Sequence, residues 1–135
     1  MTRAIAVTGK GGVGKTTVAA LIVRQLKVSG EVPVLAVDAD PDSNLGTLLG
    51  MVPENTIGDI REDALKKVRD LPAGMSKQAY LQAGLHEIVV EAEGVDLLAM
   101  GRSEGPGCYC AINNMLRNFS DGLVSSYRWM VTDNE

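Results

Sequence analysis

The sequence predicts an α/β protein built on a doubly wound, mostly parallel sheet. Three observations carry that expectation. Two short apolar runs, Arg3 to Val7 and Pro33 to Val37, flank a segment whose apolar residues fall at helical spacing. A glycine-rich turn, Gly9 to Gly14, leads from the first run into that segment. Strand, helix and strand in so short a stretch make a βαβ unit, whose crossover demands a parallel sheet and a right-handed connection. The 135 residues, 45% hydrophobic and 22% charged, suit one soluble domain over residues 1–135.

Taken in order, Arg3 to Val7 is a buried strand that closes at Thr8-Gly9. Thr16 to Lys27 places Val18, Leu21, Ile22, Val23 and Leu26 at helical spacing and stops at Ser29-Gly30. Pro33 to Val37 is the second strand, followed by a polar loop from Asp38 to Asn44. Ile57 to Val68 reads as a helix with its charges on one side, ended by Pro72-Ala73-Gly74. Ser76 to Gly84 reads as a shorter helix. Glu87 to Val90 and Val95 to Met100 are expected strands of a hairpin around Glu91-Ala92-Glu93-Gly94. Gly101 to Gly107 is a loop, and Tyr109 to Phe119 returns to helical spacing through Ile112, Met115, Leu116 and Phe119. Tyr127 to Thr132 is a last strand running into Asp133-Asn134-Glu135. A doubly wound domain normally continues past such a strand with further βα units, so the expectation is an N-terminal part, truncated after this strand. Aromatic residues are only 4%, which leaves the core to Val, Leu, Ile, Ala and Met.

Composition removes several function classes. The formal charge of −4 gives no basic excess to steer the chain to nucleic acid or an anionic membrane. The longest apolar run, around Val18 to Val23, falls far short of the roughly twenty residues a membrane span needs. The apolar stretch before Gly9-Lys10 is too short for a secretory signal, so a cytoplasmic protein is expected.

Gly9-Lys10-Gly11-Gly12-Val13-Gly14-Lys15-Thr16 matches G-x-x-x-x-G-K-[ST] at every fixed position, between an expected strand and helix. Glycines there let successive backbone N–H groups turn inward around phosphate oxygens, where side chains would block the approach. The helix N-terminus adds the positive end of its dipole. In this pattern Lys15 reaches the β- and γ-phosphates and the Thr16 hydroxyl ligates Mg²⁺. The fold class thereby narrows to a sheet of the P-loop NTPase type. Asp38-Ala39-Asp40-Pro41-Asp42 has the alternation of a calcium loop, but Ser43 and Leu49 stand where that loop needs Gly and Glu, and calcium is rejected.

Cys108 and Cys110 lie in Gly105-Pro106-Gly107-Cys108-Tyr109-Cys110. Separated by one residue, they cannot staple distant segments, and two thiolates so close can bind one soft metal ion from the same side. Zn²⁺ or thiolate-bound Ni²⁺ asks for four ligands. The single histidine, His86, is distant in sequence and reads as a structural or exposed residue. An identical pair from a second chain, across a two-fold axis, completes the count most simply. The alternative is two buried, inert cysteines.

Lys10 extends the phosphate loop. Lys10 to Thr17, Lys-Gly-Gly-Val-Gly-Lys-Thr-Thr, resembles the deviant Walker A loop of the MinD/ParA/nitrogenase-iron-protein superfamily. The resemblance implies that Lys10 crosses to the nucleotide of a second subunit in an ATP-dependent dimer, and it adds Thr17 to the nucleotide-binding residues. It makes Asp38 to Asn44 the first switch: Asp40 resembles the carboxylate that orients the attacking water, and Asp38 lies near the magnesium shell. The alternative for this segment is an acidic loop that caps the next helix. Asp133 is placed like the Walker B aspartate that holds Mg²⁺ through water. With Gly101 to Cys110 and the Thr-Asp-Asn-Glu ending, the chain is similar to the carbon-monoxide dehydrogenase accessory ATPases (CooC type), over about the first half of such a protein. That family implies ATP hydrolysis with Lys10, Lys15 and Asp40 as catalytic residues, coupled to nickel delivery into carbon-monoxide dehydrogenase. Cys108 and Cys110 of two chains would then share Ni²⁺ or Zn²⁺, in a homodimer bridged by metal and ATP. In that family the second switch continues past Glu135, and the adenine-contacting segments follow it.

Three rival readings remain at this level. A nitrogenase-iron-protein-like reductase would bridge an iron–sulfur cluster, but its cysteines stand far apart in sequence. A partitioning or positioning ATPase of the MinD/ParA type would use its dimer on DNA or membrane, against the acidic balance and the cysteine pair. The third is a half-domain that binds phosphate or metal without turnover.

Overall fold

The computed structural model describes residues 1–10, 13–42, 44–67, 70–101, 118 and 121–134. Cys108, Cys110 and nearly all of the segment expected to be helical at 109–119 therefore lie outside the described residues, as do Gly11 and Gly12. Five strands, β1 (Arg3–Val7), β2 (Val34–Ala39), β3 (Val90–Ala92), β4 (Val95–Ala99) and β5 (Trp129–Asn134), form one sheet in the order β1-β5-β2-β4-β3. All neighbours are parallel except β3 against β4. Among the described residues the helices include α1 (Lys15–Val28), α2 (Leu45–Leu49), α3 (Ile57–Lys67) and α4 (Lys77–Ile88), and residues 121–124 are helical as well. This is the doubly wound, mostly parallel architecture expected.

Alternation along β2 explains the two layers of helices. Val34 and Ala36 join Ala19 and Val23 of α1, Leu45 of α2, Leu97 and Val131 in one core. Leu35 and Val37 point the other way, to Ile57 of α3, Leu85 and Ile88 of α4, Leu98 and Tyr127. A strand covered on both faces reads as a continuous apolar run, as Val-Leu-Ala-Val does here.

Local chemistry fixes the helix ends. α1 closes with Glu31 N–H donating to the Leu26 carbonyl (2.9 Å) around Gly30 at φ +73°, a glycine-dependent reversal. At the start of α3, Thr56 N–H donates to Asp59 Oδ2 (2.8 Å) and Asp59 N–H donates to Thr56 Oγ1 (3.2 Å), a reciprocal cap. Ser76 Oγ accepts from Ala79 N–H (3.1 Å) to begin α4.

One difference from expectation is burial: β1, expected to be a buried strand, is exposed at Arg3, Ala4 and Ala6 and only half-buried at Ile5 and Val7, because it pairs on one side only, with β5. The other differences are at boundaries. β2 runs on to Ala39, which puts Asp38 inside a strand rather than in the following loop. α2 was not expected: five residues are too few to display a helical period, and the helix is held by the complete burial of Leu45. α4 extends to Ile88 because Leu81, Leu85 and Ile88 face the core at helical spacing, so Glu87 is helical and the hairpin turns at Glu93-Gly94. β5 begins at Trp129, two residues late, because the Tyr127 backbone is bound elsewhere, its N–H donating to the Val124 carbonyl (3.1 Å) and its carbonyl accepting from Thr2 Oγ1 (2.7 Å), while its hydroxyl donates to Asp96 Oδ2 (2.7 Å).

Candidate functional site

Register brings the site together. Val7 pairs with Asp133, Asp133 with Asp38, and Asp38 with Ala99, so four parallel strands end on one line. The crevice beyond the carboxyl ends of such strands is where open α/β sheets bind ligands. The turn after β1, the first turn of α1, the loop after β2 and the end of β5 all meet there.

Gly14 starts α1 in the left-handed region at φ +88°, a conformation that suits glycine, and Lys15 is the first helical residue. Lys15 is buried, 7% exposed, although it carries a charge. Its Nζ lies 2.6 Å from Asp40 Oδ2 and 3.1 Å from Asp133 Oδ1. Thr16 Oγ1 donates to the other oxygen of Asp133 at 2.8 Å. Asp133, fully buried at the end of β5, thus joins the last two residues of the glycine-rich motif. The hydrogen bond that Lys15 donates to Asp40 does most to hold its ammonium above its ordinary pKa. Burial opposes it, and Asp133 reinforces it. Lys15 in turn holds the Asp40 carboxyl below the usual range, with help from the Asp42 N–H.

The loop after β2 repeats one local device. Asp40 N–H donates to Asp38 Oδ1 (3.2 Å) and Asp42 N–H donates to Asp40 Oδ1 (2.9 Å), two successive turns in which an Asp side chain caps the amide two residues on. Leu45 N–H, at the start of α2, donates to Asp38 Oδ2 (3.3 Å). The Leu45 bond is the helix cap that the sequence offered as the alternative for this acidic loop, whereas the Asp40 and Asp42 amides as donors escaped the sequence reading. The alternating aspartates were the available signal, since each is a candidate for that turn.

Lys15, Thr16, Asp38, Asp40 and Asp133 therefore converge. Gly9, Lys10, Val13 and Thr17 are exposed around them on the loop and first turn of α1, and Gly9 packs close to Val13, where a Cβ would meet Val13 Cγ2 at 3.1 Å. His86 is exposed in the last turn of α4. Among the described residues no group of three or more His, Cys, Asp or Glu side chains is arranged to hold a metal ion. A phosphate-bound Mg²⁺ asks for less: it takes one or two protein oxygens and completes its shell with phosphates and water. The Thr16 hydroxyl and the Asp133 carboxylate, 2.8 Å apart, are hard oxygen donors that fit that requirement. No helix among the described residues is long and apolar enough to cross a membrane.

Comparison with known proteins agrees with this geometry. The chain is 50% identical over 133 residues to an uncharacterised ATP-binding protein of Methanocaldococcus jannaschii, covering 97% of this chain and 52% of the relative. It is 35% identical over 130 residues to the carbon monoxide dehydrogenase accessory protein CooC of Rhodospirillum rubrum, covering 84% of this chain and 46% of that protein. The chain thus spans about half the length of the curated relatives it matches. Among solved structures, cobyrinic acid a,c-diamide synthase from Mycobacterium smegmatis, with bound ADP and magnesium, superposes with a TM-score of 0.63 at 26% identity, covering 98% of this chain and 51% of that one. A plasmid partition protein from Borrelia burgdorferi shares the fold, with a TM-score of 0.53 at 18% identity. The family model for the CobQ/CobB/MinD/ParA nucleotide binding domain (CbiA) matches residues 4–124, from β1 through the core that frames the site. With nine-tenths of its length inside that match and a lysine, a threonine and three aspartates gathered where nucleotide phosphates bind in such sheets, this chain belongs to the CobQ/CobB/MinD/ParA nucleotide-binding family.

Proposed function

We propose that this chain is the phosphate-binding part of a Mg²⁺-dependent ATPase. The observation that carries the reading is the convergence of Lys15, Thr16 and Asp133 beside the turn that starts α1. In this reading Lys15 exchanges its carboxylate partners for β- and γ-phosphate oxygens. The backbone N–H groups of Gly9 to Thr17 surround the phosphate chain, with the α1 dipole behind them. Mg²⁺ bound at Thr16 and Asp133 would supply charge neutralisation on the phosphates. Asp40, released from Lys15, orients the water that attacks the γ-phosphorus, a step that depends on positioning more than on basicity. Lys10 is assigned to the nucleotide of a second subunit.

The finer reading is a nickel-handling maturation factor for carbon-monoxide dehydrogenase. Its support is the 35% identity to CooC together with the Cys108-Tyr109-Cys110 sequence. Nickel is here a cargo, held by the cysteine pairs of two chains in an ATP-dependent homodimer.

Two titrations test the two levels separately. Fluorescent ATP with Mg²⁺ should bind the wild-type chain, with affinity lowered at least tenfold in Lys15→Met and less in Thr16→Ala; equal affinity in all three would remove the nucleotide site. Ni²⁺ added to the reduced protein under anaerobic conditions should give thiolate-to-metal absorbance saturating near one metal per two chains. A shift in mass to a dimer should accompany it, and both should be lost in Cys108→Ala. A folded chain that binds nucleotide but no nickel would leave a dimerising ATPase without the delivery role.

A further inference from the structure

Three aspartates meet at this site, and their contacts differ. Asp133 and Asp40 hold Lys15, whereas the Asp38 carboxylate is turned back onto its own loop. Asp38 is 1% exposed, and among the partners of its oxygens are two amides of that loop, Asp40 N–H on Oδ1 and Leu45 N–H on Oδ2. Its main-chain carbonyl accepts from Met100 N–H at 2.8 Å, fixing the end of β2 to the end of β4. The far end of the loop is equally fixed: Leu45 is fully buried among Val23, Leu97 and Val131. Between these two anchors lies Asp40, whose own amide is one of the two that Asp38 holds.

We infer that Asp38 is a positioning residue: its carboxylate staples the loop from Asp40 to Leu45 and so sets where the Asp40 carboxylate stands against Lys15. The inference deepens the nucleotide reading and rests on it. It assigns Asp38 a role distinct from a place in the magnesium shell. A carboxylate offers acceptors only, and both amides aimed at it are donors. Asp38→Asn keeps one acceptor and turns the other into a donor facing a donor, which releases one end of the staple. Asp40 then holds Lys15 less firmly. Because Lys15 cannot serve Asp40 and a phosphate at once, a weaker hold leaves it freer for phosphate.

The experiment is the affinity for ADP in EDTA, followed by the Mg²⁺ concentration needed for half-maximal tightening, in wild type, Asp38→Asn, Asp40→Asn and the double variant. Loss of a partly exposed ion pair corresponds to about a fivefold change. Asp40→Asn should therefore bind metal-free ADP about fivefold more tightly than wild type, and Asp38→Asn should tighten it by a smaller factor in the same direction. The double variant should match Asp40→Asn, because Asp38 acts through Asp40. The Mg²⁺ requirement should be unchanged by Asp38→Asn. Additive effects of the two substitutions, an unchanged metal-free affinity, or an effect confined to the Mg²⁺ requirement would each overturn the inference. Wild type that fails to bind ADP in any condition would instead overturn the nucleotide reading on which it rests. Should Asp38→Asn not fold, amide exchange in the wild type decides: equal protection of the Leu45 amide with ADP and with Mg–ADP supports the staple, and its loss on adding Mg²⁺ overturns it.

Discussion

At the scale of single residues, the site holds one buried and one part-buried carboxylate around one ammonium. Removing Lys15 leaves Asp133, which is fully buried, without its cation. Breaking one partner of a buried pair is strongly destabilising because a charge is left uncompensated. Lys15→Met should therefore lower the unfolding free energy of the nucleotide-free protein by about 3 kcal/mol. Adding Asp133→Asn should restore part of that loss, since a neutral amide no longer needs the ammonium. Urea denaturation of the single and double variants checks this. A lysine whose value lay only in phosphate binding would leave the nucleotide-free stability unchanged.

At the scale of elements, two glycines that frame the site are constrained for opposite reasons. Gly14, at φ +88°, has open space around the position of a Cβ, so Gly14→Ala meets only backbone strain, about 1 kcal/mol. Gly46, in α2, has an ordinary helical backbone, but a Cβ there runs into the Met51 carbonyl and comes within 3.0 Å of Leu97 Cδ2. Overpacking against backbone gives no easy relief, and Gly46→Ala should cost about 2–3 kcal/mol. Because α2 begins at Leu45, whose amide Asp38 holds, Gly46→Ala should also disturb the loop that carries Asp40. Comparing urea midpoints of the two variants tests the ranking. A larger loss in Gly14→Ala would show that the fit of α2 against β4 is looser than its packing indicates.

At the scale of the whole molecule, titration at the two ends of the sheet shapes stability against pH. The folded-state pKa of Asp40 is depressed, so its contribution is present above the ordinary carboxyl value near 3.8 and fades as pH falls through the lower folded value. Lys15 and Tyr127 are both raised, Lys15 by its carboxylates and Tyr127 by burial and its bond to Asp96. Their contributions are complete below the ordinary values of 10.5 and 10.0 and are lost as pH rises through the higher folded values. Stability should therefore hold across neutral pH and decline at both ends. Asp40→Asn should flatten the acid decline, and Tyr127→Phe the alkaline one. Alkaline difference absorbance adds a direct reading: of the three tyrosines, one should ionise only as the protein unfolds, and Tyr127→Phe should abolish that late step.

The sequence by itself determined the parts whose chemistry is local. Gly9 to Thr16 could be read because a phosphate loop needs glycine, lysine and a hydroxyl at fixed spacing within eight consecutive residues. β2 was legible because a strand covered on both sides leaves a continuous apolar run, β1 because its short apolar run ends at the glycine-rich turn although the strand itself stays exposed to half-buried, and α1 because its spacing lasts three turns. α2 was not legible, since five residues carry no period and its stability comes from Leu45 entering a core made by other segments. Only the tertiary structure decided that Lys15 meets Asp40 and Asp133, which lie 25 and 118 residues away in the chain. Parallel pairing of β5 between β1 and β2, in a register that aligns Val7, Asp133 and Asp38, produces that meeting. Nor could an aspartate's neighbours be read from its letter. Asp38 and Asp40 are two residues apart, yet one ties down backbone amides and the other pairs with a lysine, because only the folded loop decides which donors each carboxylate reaches.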